Sequence, residues 1–216
     1  MNLEDARSQM LRQQIRAWEV LDDRVLEALG TTPREQFVPA EYADVAFADL
    51  EIPLAHGQHM MAPSVEGRLL QSLQIEPMER VLEIGTGSGF MTACLAHLAD
   101  SVVSVDVFDD FIDAARPKLE QSELANIELR AADGLALDYE SQFDAIAVTG
   151  SVPELDEHFI RMLRPGGRLF LVTGREPIME AQLITLHAYG NWTRQSLFET
   201  LLTPLVNADT PPPFVL

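Results

Sequence analysis

Residues 81–90 read Val81-Leu82-Glu83-Ile84-Gly85-Thr86-Gly87-Ser88-Gly89-Phe90. An apolar, strand-forming run enters three alternating glycines, and an apolar helical segment, Met91 to Ala99, follows. Glycine lacks a Cβ and tolerates positive φ, so a ligand can lie directly against this backbone. The helix that follows offers free N–H groups at its N-terminus. The stretch therefore predicts strand, ligand-binding loop and helix, the opening unit of an α/β sheet.

Two ligand classes compete for such a loop. A dinucleotide fingerprint, G-x-G-x-x-G, needs its third glycine for close helix–strand packing. Counted from Gly85 and Gly87, that position is Phe90. The spacing is G-x-G-x-G instead, with Glu83 two residues ahead. A carboxylate at a strand end is costly to bury without partners, so Glu83 is expected either to fix the loop or to receive a cationic group. The pattern E-x-G-x-G-x-G resembles the opening motif of S-adenosylmethionine-dependent methyltransferases.

The next elements agree. Val102-Val-Ser-Val-Asp106 is a second apolar strand ending in an acid. Ligands of open α/β sheets lie beyond the strand carboxyl ends, where such an acid accepts ribose hydroxyls. Position at the strand end favours Asp106 over Asp109, Asp110 and Asp113. A short strand, Ile127 to Arg130, leads to Asp133-Gly134, where an acid can accept from an adenine amino group. Phe143 to Thr149 is the fourth strand, with Gly150-Ser151 opening its loop. Arg164-Pro-Gly-Gly167 predicts a tight turn into a fifth, Arg168 to Val172. On this reading the cofactor set is Glu83, Gly85, Thr86, Gly87, Ser88, Gly89, Asp106, Val107, Asp133, Gly134 and Thr149.

The flanks are plainer. Residues 4–29 are expected to be mainly helical, with Met10 and Trp18 in the core. Residues 40–63 read as irregular. A helix is expected over 64–74, with Ser64 a candidate N-cap after Pro63. From Ile184 the chain mixes apolar alternation with Pro204 and Pro211 to Pro213, and reads as late strands and a loose tail. Together these predict one domain over residues 1–216: an N-terminal helical and loop region over 1–63, then a Rossmann-like, doubly wound, mostly parallel sheet.

Composition removes several function classes. The chain has 216 residues, 47% of them hydrophobic, enough for a sizeable core. Its net charge is −19, from 34 acids against 15 bases. That opposes binding to nucleic acid or to an anionic membrane surface. No run approaches the ~18–20 apolar residues of a membrane span. The acidic start, Met1 to Arg7, does not read as a signal peptide, and a cytoplasmic location is expected. Cys94 is the single cysteine, and a small buried apolar role suits it.

Over Met10 to Leu205 the chain resembles the protein-L-isoaspartate O-methyltransferase family. The resemblance rests on Gln14-Ile15, Val25 to Ala28, Pro33-Arg-Glu-Gln-Phe-Val-Pro39, Ile52-Pro53, Gly57-Gln58, Val81 to Gly89, Ser104 to Asp106, Asp133-Gly134 and Phe143 to Thr149. It implies methyl transfer from S-adenosylmethionine to the free carboxylate of L-isoaspartyl residues in peptides; the ester then collapses to a succinimide, which allows repair. One stretch departs from the pattern. The family's substrate loop resembles G-Q-T-I-S-Q-P, whereas this chain has Gly57-Gln-His59-Met-Met61-Ala62-Pro63. His59 stands at the Thr position and Met61 at the Ser position used at the reacting centre. The family's late V-x-F-V-P-L survives in part, as Leu201-Leu-Thr-Pro-Leu205.

Divergence thus concentrates on the acceptor side. Weak or absent isoaspartyl methylation with retained S-adenosylmethionine binding is expected, with His59 as a replacement donor. A less polar acceptor, a binding protein that has lost catalysis and a nicotinamide-dependent enzyme are the alternatives. His56 and His59 form an H-x-x-H pair, but Gly57 lies between them and no third ligand is near in sequence, so no metal is expected. His97, His158 and His187 are isolated.

Overall fold

The computed structural model describes residues 2–208; the Pro211 to Pro213 tail lies outside the described residues. Helix α1 (Leu3–Gln9) runs into a π-helical stretch, Met10–Ile15, and a 3-10 turn, Arg16–Trp18. Met10 and Ile15 are fully buried, but Trp18 is 40% exposed and only rests its ring edge on Phe198. The expected core position of Trp18 fails for a physical reason. The wider π-helical winding shifts the phase of the apolar face, so 3.6-residue spacing stops predicting burial past Ile15.

Helix α2 (Asp23–Thr31) is capped by the Asp22 carboxylate, which accepts from the Arg24 N–H at 2.9 Å. A short helix, α3 (Arg34–Phe37), follows. Within 40–63, read as irregular, β1 (Ile52–Pro53) and β2 (His59–Met60) form a small antiparallel hairpin, pairing Ile52 with Met60 and Pro53 with His59. Helix α4 (Pro63–Leu73) starts with proline at its first position. Ser64 is not its cap. Ala62 occupies that site, and the Asp49 side chain accepts from the Ser64 N–H at 3.0 Å instead. The cap thus comes from a residue remote in sequence.

The main sheet is built from β3 (Arg80–Ile84), β4 (Ser101–Asp106), β5 (Ile127–Ala131), β6 (Phe143–Val152), β7 (Leu163–Arg175), β8 (Ile178–Leu186) and β9 (Trp192–Glu199). Their order is β5-β4-β3-β6-β7-β8-β9. The first five are parallel, and β8 and β9 extend the sheet antiparallel. The β-branched runs of β3 and β4 suit strands covered on both faces. Strand β7 begins before the expected turn; Arg164 to Gly167 is an irregularity inside it, where the pairing with β6 shifts register.

Alternate side chains feed two cores. Val81, Val102, Ala145, Ala147 and Phe170 face the layer holding α2, α4 and α5 (Phe90–Leu98), together with Ala115 and Leu119 of α6 (Asp109–Gln121). Leu82, Val103, Ile146, Val148 and Leu171 face the other side, covered by α7 (Glu157–Arg161) and the loop around Leu135 to Tyr139. Helix α5 lies between the sheet and α2, so Phe90 to Ala96 are all buried.

Arg34 is fully buried and joins the N-terminal region to this core. Its guanidinium pairs with buried Glu66 of α4, and donates to the carbonyls of Ala46 at 2.9 Å and Met61 at 2.8 Å. It also lies over the Phe90 ring, 4.6 Å from the centroid. Removing one partner of a buried ion pair leaves an uncompensated charge. Arg34→Met is therefore expected to destabilise the fold by about 3–5 kcal/mol, a fall in Tm of roughly 10 °C in calorimetry. Adding Glu66→Gln removes the stranded charge and should recover part of the loss. An unchanged Tm in Arg34→Met would refute this role.

Candidate active site

The site lies beyond the carboxyl ends of β3, β4 and β6, at the point where β4 and β6 flank β3 on opposite sides. A cleft opens there. Gly85, Gly87, Asp106, Val107, Asp133, Gly134 and Thr149 line it. A smaller pocket beside it is lined by Thr86, Ser88, His59 and Met61. Glu83 and Gly89 border neither.

The glycines have separate jobs. Gly85 has φ +106, and a Cβ there would collide with Thr149 Oγ1. That hydroxyl donates to the carbonyls of Ile84 at 3.0 Å and Gly85 at 2.8 Å, tying β6 to the loop. Gly134 is equally constrained, because a Cβ would run into Ile84. Gly89 serves packing: it caps α5 at φ +85, and a Cβ would come within 2.9 Å of Ala115.

Glu83 sits beneath the loop, fully buried. The β3–β4 register places it beside Ser104. Its Oε2 accepts from Thr92 Oγ1 at 2.5 Å and Ser104 Oγ at 2.6 Å, while Oε1 has no hydrogen-bond partner among the described residues. Ser104 is in turn hydrogen-bonded to Thr86 at 2.6 Å. Of the two roles expected for Glu83, this network is the loop-fixing one. Burial pushes its carboxyl up to about 8, against the opposing hydrogen bonds from Ser104 and Thr92.

Asp106 ends β4 and faces the cleft. Its Oδ2 accepts from the Gly87 N–H at 2.8 Å and its Oδ1 from the Phe108 N–H at 3.0 Å. Burial raises its pKa, and these two N–H groups pull it back. Each oxygen keeps an acceptor site for a ligand hydroxyl. Asp133 accepts from the Leu135 N–H at 2.9 Å and from Asn207 Nδ2 at 2.9 Å. The late segment therefore reaches back over the cleft, which Leu202, Thr203 and Leu205 also line.

The two histidines part company. His56 stacks on Phe108, centroids 4.0 Å apart and planes 7° from parallel, and pairs with Asp110 at 2.8 Å. His59 Nδ1 lies 3.0 Å from Thr203 Oγ1. They point to different partners, and among the described residues no group of three or more His, Cys, Asp and Glu is arranged to hold a metal. Phe108 and Phe111, walls of the cleft, were not singled out from sequence, nor was Arg34; the only signal for Arg34 was its place in Pro33 to Pro39. Cys94 is buried, and burial raises its thiol pKa.

Glycines without room for a Cβ, an acid at the end of β4 and a second acid after β5 fit a nucleoside-bearing cofactor. The model of the family described as protein-L-isoaspartate(D-aspartate) O-methyltransferase matches residues 5–210. A protein-L-isoaspartate O-methyltransferase of Yersinia pestis (strain Pestoides F) is 39% identical over 171 residues, 79% of this chain and 82% of the relative. A relative of the same name from Yersinia pseudotuberculosis (serotype O:1b, strain IP 31758) matches equally. Among solved structures, a putative enzyme of this name from Plasmodium falciparum, in complex with S-adenosyl-L-homocysteine, superposes with a TM-score of 0.77. It covers 92% of this chain and 97% of its own at 19% identity. A second protein-L-isoaspartate O-methyltransferase has TM-score 0.77 at 22% identity, covering 92% and 65%.

The sheet is Rossmann-like, and the family match and the relatives make the chain an S-adenosylmethionine-dependent methyltransferase. The chain belongs to the protein-L-isoaspartate(D-aspartate) O-methyltransferase family.

The buried Glu83 gives a pH-dependent expectation. The unfolded chain loses this proton near 4.5, but the folded chain holds it to about 8. Unfolding then releases a proton between these values, so the Glu83 contribution to stability falls as the pH rises through the window. Glu83→Gln, neutral at every pH, should gain stability relative to the parent from pH 5 to pH 8 in urea melts. A constant difference would sink this assignment.

Proposed function

We propose that the chain transfers the methyl group of S-adenosylmethionine to a carboxylate, with isoaspartyl peptides as the acceptor class, more slowly than relatives that keep the loop hydroxyls. Asp106 takes the ribose hydroxyls, the backbone of Gly85 to Gly87 and Val107 borders the nucleoside, and Asp133-Gly134 meets the adenine. Thr86, Ser88, Gly89 and Glu83 hold the loop in shape, and Thr149 keeps it against β6. S-adenosylmethionine supplies the methyl as an electrophile on sulfur; this chain supplies alignment.

The nucleophile needs no general base, since a side-chain carboxylate with pKa near ~4 is already ionised at neutral pH. The carboxylate oxygen forms the new bond to carbon as the carbon–sulfur bond breaks, and the leaving thioether is neutral. Catalysis is then mainly proximity and orientation.

The observation that carries the acceptor assignment is His59, on β2, hydrogen-bonded to Thr203 and bordering both the cleft and the Met61 pocket. An imidazole held there can donate to the acceptor carboxylate from its other nitrogen. Met61 cannot donate, and beside it Met60, Met91 and Leu54 form an apolar part of a pocket that Thr86, Ser88, Glu66 and Thr149 also line; that apolar part supports a less polar acceptor as the second reading. A missing donor to a charged acceptor costs ~1–3 kcal/mol, or roughly tenfold to a hundredfold in rate.

Met61→Ser is therefore expected to raise kcat/KM for an isoaspartyl peptide roughly tenfold or more, and His59→Ala to lower it, in assays of labelled methyl transfer. Wild-type turnover that ignores both substitutions would reject the carboxylate assignment. Asp106→Ala should weaken S-adenosylhomocysteine binding roughly tenfold to a hundredfold by calorimetry, with the Met61 and His59 variants unaffected.

A further inference from the structure

The walls of the cleft are acidic. Glu51, Asp106 and Asp133 line it, and no Lys or Arg does so among the described residues. Asp106 and Asp133 are occupied by backbone and side-chain donors. Glu51 is different. It immediately precedes the β1–β2 hairpin that carries His59, and it borders the cleft with His59 and Thr203 on the acceptor side. It forms no hydrogen bond or ion pair among the described residues. Glu176, at the turn between β7 and β8, adds a second negative charge close enough to be felt at Glu51. Partial burial raises the Glu51 pKa, with His59 opposing.

An isoaspartyl carboxylate entering beside Glu51 meets repulsion there, which His59 and the sulfonium charge of the methyl donor oppose. A cation carried next to that carboxylate would turn the repulsion into attraction; Glu51 is exposed, so this attraction is modest and screened by salt. The chain as a whole points the same way, with its net charge of −19. We propose that Glu51 is a specificity residue that selects acceptor peptides bearing a basic side chain or free amino group beside the isoaspartyl residue. This rests on the peptide-carboxylate reading above.

The test uses two isoaspartyl peptides that differ only in a Lys or a Glu flanking the isoaspartyl residue. Their affinity is read by fluorescence anisotropy on the protein loaded with S-adenosylhomocysteine, and methylation is assayed in parallel. The Lys peptide should bind roughly threefold to tenfold more tightly at low salt, with the gap narrowing as salt rises. Glu51→Gln should bring the two peptides close together, and Glu51→Lys should invert the order, each variant being compared at saturating S-adenosylhomocysteine. Equal binding by the wild type, or a preference that survives Glu51→Lys, overturns the inference. If the Lys peptide binds better through Glu51 yet neither peptide is methylated, the inference stands and the carboxylate reading falls. If neither binds, both fall.

Discussion

The buried pair of Arg34 and Glu66 is the contact through which the rest of the molecule is held in register. Glu66 sits on α4, Arg34 on the short α3, and neither has access to water. Burial alone would push the Glu66 carboxyl up; it stands at about 7, with Arg34 holding it down from a higher value. Such a pair contributes little net stability compared with well-packed apolar side chains, but it is unforgiving of misplacement. Its remaining N–H groups are spent on two carbonyls, Ala46 and Met61. The second of these fixes the backbone of the loop that carries His59 and Met61. The guanidinium face rests on Phe90, the first residue of the helix behind the glycine loop. One side chain thereby locates the acceptor loop and the cofactor loop relative to each other.

Phe90 gains meaning from this arrangement. In sequence it was the residue that broke a dinucleotide fingerprint. In the fold it is fully buried and packed edge-on to Phe37 with ring centroids 5.8 Å apart, as well as beneath Arg34. The space that a third glycine would leave for close helix–strand approach is filled by an aromatic platform on which the N-terminal region docks. The same position that argues against a nicotinamide cofactor thus builds the attachment of the acceptor side.

The two halves of the cleft are made in different ways. One side is built from consecutive elements: β3, its loop, α5 and the end of β4 follow one another in the chain, and Gly87 and Phe108 donate to Asp106. The acceptor side is assembled from remote pieces. Glu51, His59 and Thr203 meet across the cleft, and Asn207 reaches Asp133 from the end of the described chain. Substitution can therefore alter the side around His59 and Met61 residue by residue while leaving the glycine-loop side unchanged.

The strands, the glycine loop and the acids at the ends of β4 and β5 were legible in the sequence, because periodicity, Cβ-free turns and strand-end carboxylates act over a few residues. So was the departure at Gly57 to Pro63. What the sequence could not supply were positions fixed by residues far apart. The cap of α4 comes from Asp49 rather than Ser64, and Trp18 leaves the core because a π-helical turn changes the phase of its helix. Glu83 was recognised as an acid needing partners, but only the β3–β4 register shows that Thr92 and Ser104 provide them below the loop. His56 and His59, adjacent in sequence pattern, turn to Asp110 and Thr203. Short-range chemistry determined the strand–glycine loop–helix half of the cleft from the chain alone; the half around His59 was decided by tertiary structure, because its polar groups find their partners only once distant segments have packed together.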